Sequence, residues 1–176
     1  DHYLGFAFSK SGNTIFFVRK SSDDSAPTAV YRIATFGGIP AKIIDKAEGW
    51  ISISPDDQHI SFVRCEYTDQ DFCSLLTAGI DGSNERLLVS KPRPIRISAQ
   101  DFSPDGKSIG YAAGHSTNGG SDFQILRINI ADGTETEITP KRYFNVKSLK
   151  WLPSGDELLL TAMEMLDGKL NIWRLD

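Results

Sequence analysis

The chain has 176 residues, 40% of them apolar and 24% charged, and its 19 Lys and Arg against 23 Asp and Glu leave a net charge of −4. That length holds one large domain or two small ones around an ordinary core. With no basic block, the surface lacks the clustered cations that hold a phosphate backbone, so nucleic acid is not an expected partner. No apolar run nears the roughly 20 residues of a membrane-spanning helix. The opening "DHYLGFAF" also lacks the basic, apolar and small-residue sections of a signal peptide. Membrane insertion is therefore not expected. The chain starts at Asp1, as a processed or excised chain would.

From the N-terminus, "FAFSKSGNTIFFVRK" (from Phe6) reads as strand, turn at Gly12 and strand, and "AVYRIATFGGIPAKII" as a second hairpin turning at Gly37 and Gly38. The pattern returns in "ISISPDDQHISFVRC" (from Ile51), with Asp57 at the turn, and "SLLTAGIDGSNERLLV", turning at Asp81 and Gly82. It returns again in "QDFSPDGKSIGYAAG" (from Gln100), with Gly106, and "QILRINIADGTETEIT", with Asp132 and Gly133. A fourth unit, "LKWLPSGDELLLTAM" (from Leu149), turns at Gly155, and its second half, "LNIWRLD", is cut short at Asp176. The turn positions Gly12, Asp57, Gly106 and Gly155 lie 45, 49 and 49 residues apart, close to the ~40–50-residue period of propeller blades.

The turns have a chemistry of their own. In Ser103-Pro104-Asp105-Gly106, Pro104 sets φ for the first corner of a type I turn and Asp105 suits the second. Gly106 can then take the left-handed conformation that ends a tight hairpin with a bulge. Pro55 repeats the Pro, and Asp57 replaces the Gly at a cost of about 1 kcal/mol, since Asp visits the left-handed region more readily than most residues. Gly82 and Gly133 serve the second hairpins in the same way. Between the turns, β-branched and aromatic residues alternate as in half-buried strands, and no segment shows the spacing of an amphipathic helix. The fold class expected is all-β.

The "FSPDG" turn before an apolar strand, followed by "IDGSNERLL" or "IADGTETEIT", resembles the repeat of TolB-type, WD40-like β-propellers over essentially all 176 residues. The third repeat matches best; the first has Ser9-Lys10-Ser11-Gly12 and the fourth Leu152-Pro153-Ser154-Gly155. The resemblance implies four-stranded antiparallel blades over about 3–45, 49–90, 97–139 and 147–176, three complete and the fourth without its outer strand. An open arc leaves apolar blade faces uncovered at both ends. A fragment of a larger propeller, two copies paired into one ring, or a partner over the ends would each account for it.

Cys65 and Cys73 flank the crossing "EYTDQDF"; facing each other across a hairpin they would form a disulfide and imply an oxidising compartment, with two buried thiols as the alternative. No His or further Cys stands near enough to complete a metal set. Glu66, Asp69 and Asp71 are acidic enough for a hard cation, but their spacing matches no calcium loop and solvated acids are the simpler reading. His115 and Ser116, expected on a Gly-rich loop in "AGHSTNGGSDF", lack the strand-turn-helix setting of a nucleophile elbow, and Asn118 there carries no chemistry of its own. Lys91, Arg93 and Arg96 lie in "SKPRPIRIS", where the prolines suit an extended connection and the charges a solvated or anion-contacting one. Trp50, Trp151, Trp173 and most Phe read as packing. With no catalytic constellation and no cofactor implied, the sequence points to a binding or scaffolding module for a protein or peptide partner. The resemblance adds a periplasmic or extracellular setting in a bacterial envelope or sensor protein, and the open ends themselves add a homodimer as an expected partner state. The competing expectation is the substrate-gating propeller of a prolyl oligopeptidase-type serine peptidase, whose catalytic α/β domain has no counterpart in these residues.

Overall fold

The computed structural model describes residues 2–21, 27–65, 71–117, 120–164 and 168–176, with no helix among them. Fifteen strands form four antiparallel sheets, each taken in chain order from its innermost strand. Sheet 1 holds β1 (His2–Phe8), β2 (Thr14–Lys20), β3 (Ala29–Ala34) and β4 (Ala41–Asp45), and sheet 2 holds β5 (Glu48–Ile53), β6 (His59–Cys65), β7 (Phe72–Gly79) and β8 (Arg86–Pro92). Sheet 3 holds β9 (Arg96–Phe102), β10 (Ser108–Thr117), β11 (Gly120–Asn129) and β12 (Glu135–Tyr143). Sheet 4 has three strands, β13 (Asn145–Trp151), β14 (Leu158–Met163) and β15 (Asn171–Leu175). The expected all-β propeller arrangement, short of one outer strand, is what the chain adopts.

Each strand alternates its side chains between two faces, and the sheets stack face to face. Three apolar clusters result. Phe16, Val18, Val30 and Ile44 of sheet 1 meet Ile51, Ile60, Phe62 and Leu76 of sheet 2. Val63, Cys73 and Leu75 of sheet 2 meet Ile109, Tyr111 and Leu126 of sheet 3. Ala112, Ile125 and Tyr143 of sheet 3 meet Val146, Leu158 and Leu160 of sheet 4. β7 is buried on both faces because it contributes to two of these clusters. Among the described residues no apolar cluster joins sheet 4 back to sheet 1. Every innermost strand carries a bulge against its neighbour, between Tyr3 and Gly5, between Glu48 and Ile51, opposite Ala112 and Ala113, and between Val146 and Ser148. The extra residue strengthens local twist, which splays the sheets around an axis.

In the third turn Gly106 N–H donates to Ser103 O at 2.9 Å and Ser103 N–H to Ser108 O at 2.9 Å, with Gly106 at φ 70°. Gly12, Asp57 and Gly155 sit at φ 73°, 57° and 82° in the equivalent turns. Gly82 has a second constraint besides its φ of 88°: a Cβ there would lie 2.0 Å from Ile43 O of sheet 1, so the hairpin of sheet 2 can approach β4 only without a side chain.

Two expectations need correction. The "SKPRPIRIS" connection is a tight turn, with a cis Arg93–Pro94 bond and an Ile95 N–H to Pro92 O hydrogen bond at 3.0 Å; Pro in cis closes the chain on itself instead of extending it. The stretch around His115 is not a glycine-rich loop, because β10 and β11 run on as a ladder with His115 opposite Asp122 and Ser116 opposite Ser121.

Candidate functional site

The innermost strands β1, β5, β9 and β13 line the axis, and their repeat equivalence decides what faces it. Phe6, Ile51, Gln100 and Leu149 hold one repeat position, and together they line a cavity of about 220 Å³ midway along the axis, with Trp50, Ala99, Ser148 and Lys150. At the turn end it widens into a cavity of about 610 Å³ bounded by all four sheets, with Lys10, Pro55, Pro104 and Pro153 of the four turns on its wall. At the opposite end a third space of about 250 Å³ shares Trp50 and Gln100 with the middle one and reaches Arg96 and Ser98. The first two share Phe6 and Lys150 and form the channel proper, and the third, between sheets 2 and 3, adjoins it at Trp50 and Gln100.

The next repeat position, Ala7, Ser52, Asp101 and Lys150, builds a polar ladder between sheets. Ser52 Oγ donates to Asp101 Oδ1 at 2.6 Å, Lys150 Nζ donates to the same oxygen at 2.7 Å, and Trp151 N–H donates to Oδ2 at 3.0 Å. Asp101 is buried, and these three donors supply the pairing a buried carboxylate requires. Lys150 keeps most of its side chain in solvent at the channel mouth. Gln100 is 3% exposed; its Nε2 donates to Trp50 O at 2.6 Å, which fixes the amide's orientation. Its Oε1 and the nearby Ser98 Oγ are buried without a hydrogen-bond partner among the described residues. Two unpaired polar atoms on a channel wall are where an incoming donor gains most. Trp50, expected to be packing, is 39% exposed and forms part of the wall.

The residues singled out from sequence are dispersed around this channel. Cys65 and Cys73 are direct cross-strand partners on β6 and β7, with sulfurs 2.12 Å apart and Cα atoms 3.9 Å apart, bonded as a disulfide at the end of the hairpin. Asp57 does more than tolerate a left-handed corner. Its carboxylate accepts Lys10 N–H at 2.6 Å and Ser11 N–H at 3.1 Å from the turn of sheet 1. In the later joints the same place holds a proline beneath a glycine: a Cβ on Gly106 would lie 3.6 Å from Pro55, and one on Gly155 3.9 Å from Pro104. Where Lys10 stands for that proline and so offers an N–H, Asp57 stands for the glycine and accepts it.

Asp56 and Asp105 close the turns. Asp105 accepts Ser103 Oγ at 2.6 Å and Lys107 N–H at 3.0 Å, which hold its carboxyl below the ordinary range; Ser54 and Gln58 do the same for Asp56. Burial, and then its hydrogen bond to Glu135, push the Tyr111 hydroxyl well above the usual tyrosine range. Lys91 pairs with Glu135 across sheets 2 and 3, while Arg96 begins the next strand. Glu66, Asp69 and Asn118 lie outside the described residues, and Asp71 is exposed beside β7. Trp151 and Trp173 pack against the third cluster. Among the described residues no group of three His, Cys, Asp or Glu could hold a metal ion, and no helix is long and apolar enough to cross a membrane. Sequence reading passed over Ser52, Asp101, Lys150 and Gln100. The available signal was their place in the repeat: polar side chains at positions where inner strands otherwise carry apolar ones.

No family model matches the chain. Over 133 residues, 70% of its length, it is 26% identical to dipeptidyl-peptidase 5 of Porphyromonas gingivalis, of which it spans 19%. Among solved structures, a TolB-type protein of Agrobacterium tumefaciens superposes with a TM-score of 0.76 at 21% identity, covering 97% of this chain and 60% of its own. TolB of Acinetobacter baumannii gives 0.69 at 17% identity over 99% of this chain and 44% of its own. An acylaminoacyl peptidase of Pyrococcus horikoshii gives 0.62 at 12% identity, over 93% and 30%. The chain thus covers less than two thirds of each of these four proteins. Such identities speak for fold alone. The fold of this chain is that of the TolB-type β-propellers.

Proposed function

We propose that this chain is a non-catalytic propeller module that holds a segment of a protein or peptide partner along its axis, as a scaffold or sensor part of a bacterial envelope protein. The observation behind this reading is the channel wall of Trp50, Ser98 and Gln100, with apolar surface beside two buried polar atoms that lack partners. An extended segment brings both things such a wall takes, backbone N–H groups for Gln100 Oε1 and apolar side chains for Trp50. Ser98 Oγ serves as donor or acceptor. The Cys65–Cys73 disulfide accords with a periplasmic or extracellular setting. The test is selection of linear peptides from a displayed random library on the folded chain. Enriched peptides should lose about tenfold in affinity on Gln100→Leu, which removes an acceptor worth about 1–2 kcal/mol. Absence of enrichment, or indifference to Gln100→Leu and Trp50→Ala alike, would sink the reading.

A second reading is favoured by the match to dipeptidyl-peptidase 5. Under it the arc is part of a propeller standing over a peptidase catalytic domain, and the channel admits peptide substrates to that domain. The chain alone would then bind peptides without cleaving them, and hydrolysis of peptidyl-proline substrates by the isolated chain would contradict both readings.

A further inference from the structure

The space of about 250 Å³ between sheets 2 and 3 lies where two inner strands leave their ladders. In β5 the register passes from Glu48 opposite Val63 to Ile51 opposite Phe62, which leaves Gly49 and Trp50 over. In β9 it passes from Ala99 opposite Ala112 to Ile97 opposite Ala113, which leaves Ser98 over. A bulge re-aims the side chains beside it. Gly49, Trp50 and Ser98 all line the space, and the buried Val63, Ile97 and Phe123 give it apolar walls. At about 30 Å³ for one water, it is too large to be a single-water site.

Its polar chemistry is narrow. Gln100 is buried and its Nε2 is committed to Trp50 O at 2.6 Å, so the atom left over is Oε1, which only accepts. Ser98 Oγ is buried too, and among the described residues neither oxygen has a partner. A carboxylate has no proton to give Oε1. An ammonium has one, but the charged side chains of the lining are Glu48 and Arg96, one of each sign and both exposed. A full charge brought in would lose its hydration and meet no net countercharge. A hydroxyl donates once and cannot serve both oxygens. A carboxamide is neutral, its NH2 carries a donor for each of them, and its own oxygen accepts, for which Arg96 is a donor on the wall.

We propose that this space is a pocket for one carboxamide group and, resting on the axial reading above, that the group is the side chain of a glutamine or asparagine in the bound segment. The space shares Trp50 and Gln100 with the channel, so a segment on the axis can send one side chain sideways into it. Gln100 Oε1 has two lone pairs and takes the side-chain amide as well as a backbone N–H from the channel side. The methylenes of that side chain lie against Ile97 and Val63. Backbone bonds along the axis then supply affinity, and the pocket supplies specificity.

The test follows the methyl resonances of Ile97, Val63 and Leu149 by NMR during titration with capped residues, N-acetylglutamine N-methylamide against its glutamate, methionine and lysine counterparts. The glutamine compound should shift Ile97 and Val63 saturably and bind at least tenfold more tightly than the other three. Gln100→Leu and Ser98→Ala should each bring it toward the methionine value; the second variant touches only a half-buried hydroxyl and so covers the case in which the first unsettles Trp50. Equal affinity for the glutamine and methionine compounds, preference for lysine, or shifts that spare Ile97 and Val63 overturn the proposal. Alanine pentapeptides with glutamine or methionine at the centre separate this from the axial reading, because Leu149 lines the channel and not the pocket. Leu149 shifts that are the same for both peptides keep the axial reading and sink the pocket. A glutamine preference at Ile97 and Val63 with Leu149 unmoved supports the pocket and sinks the axial reading.

Discussion

In sheet 2, Ile60 and Phe62 are shut off from water by the sheet before them, whereas in sheet 1 Ile15 and Phe17, drawn from the same repeat position, are partly exposed on the face turned away from sheet 2. Alternation along a strand determines which side chains share a face. Whether that face is covered depends on a neighbour that the strand does not encode. The two phenylalanines should therefore respond differently to truncation, and this is the largest effect expected. Phe62→Ala leaves a cavity in a closed core and should cost about 3–5 kcal/mol. Phe17→Ala, measured by urea unfolding, should cost about 1 kcal/mol, because water already reaches its surroundings. Equal losses would mean that the outer face of sheet 1 is as well packed as the joint between sheets 1 and 2.

Sheets 2 and 3 differ at their outer hairpins in a related way. The middle strands of sheet 3 run to 10 residues each, while those of sheet 2 stop at 7 and 8 and are stapled at the end by Cys65 and Cys73. Closing so short a loop constrains the unfolded chain by about 2–3 kcal/mol in the chain-entropy account. Reduction with dithiothreitol should lower the unfolding free energy by that amount, and the Cys65→Ser, Cys73→Ser double variant should already sit at the lower value and ignore the reductant. Labelling of the unfolded, unreduced chain by a thiol reagent at two positions would show that the bridge does not form.

The repeat made the sheet count, the two hairpins per sheet and the short fourth sheet legible, because turn residues and strand alternation act locally and recur in phase. The channel was harder to see. Ser52, Asp101 and Lys150 are unremarkable singly, and their ladder exists only once sheets from distant parts of the chain stand side by side. Trp50 does both: it lies against Gly5 of β1, as packing would have it, and keeps part of its ring on the channel wall beside the bulge of β5. Asp57 was read as a tolerated substitute for glycine, which accounts for its φ but not for the two N–H groups it accepts from the preceding turn.

That exchange of Pro and Gly for Lys10 and Asp57 gives the next largest effect. Asp57→Ala keeps the left-handed corner while losing both hydrogen bonds, and should cost about 1–2 kcal/mol. Asp57→Gly relieves the corner as it loses the bonds, and should stay within about 0.5 kcal/mol of the parent. In a cycle of Lys10→Pro and Asp57→Gly, the double variant rebuilds the arrangement seen at Gly106 over Pro55, so a favourable coupling of about 0.5–1 kcal/mol is expected. Strict additivity would break the pairing of the two substitutions.

The smallest effect separates the turns of sheets 2 and 3 from that of sheet 4, where Leu152 and Ser154 replace the Ser and Asp. The Ser103 hydroxyl, and then Lys107 N–H, donate to the Asp105 carboxylate and hold its pKa below the value it has in the unfolded chain. A group shifted in this direction adds stability that is fully present above the unfolded value of about 3.9 and fades as pH falls through the lower folded one. Asp105 is largely in water, so the gain is a small fraction of the total and shows better in titration than in unfolding. Carboxyl chemical shifts followed by NMR should place the Asp105 midpoint below about 3.9 and return it toward that value on Ser103→Ala, with Asp56 moving likewise on Ser54→Ala. A midpoint for Asp105 at or above the ordinary carboxylate value would show that the hydroxyl does not hold the charged form, and the turn would then owe its shape to Pro104 and Gly106 alone.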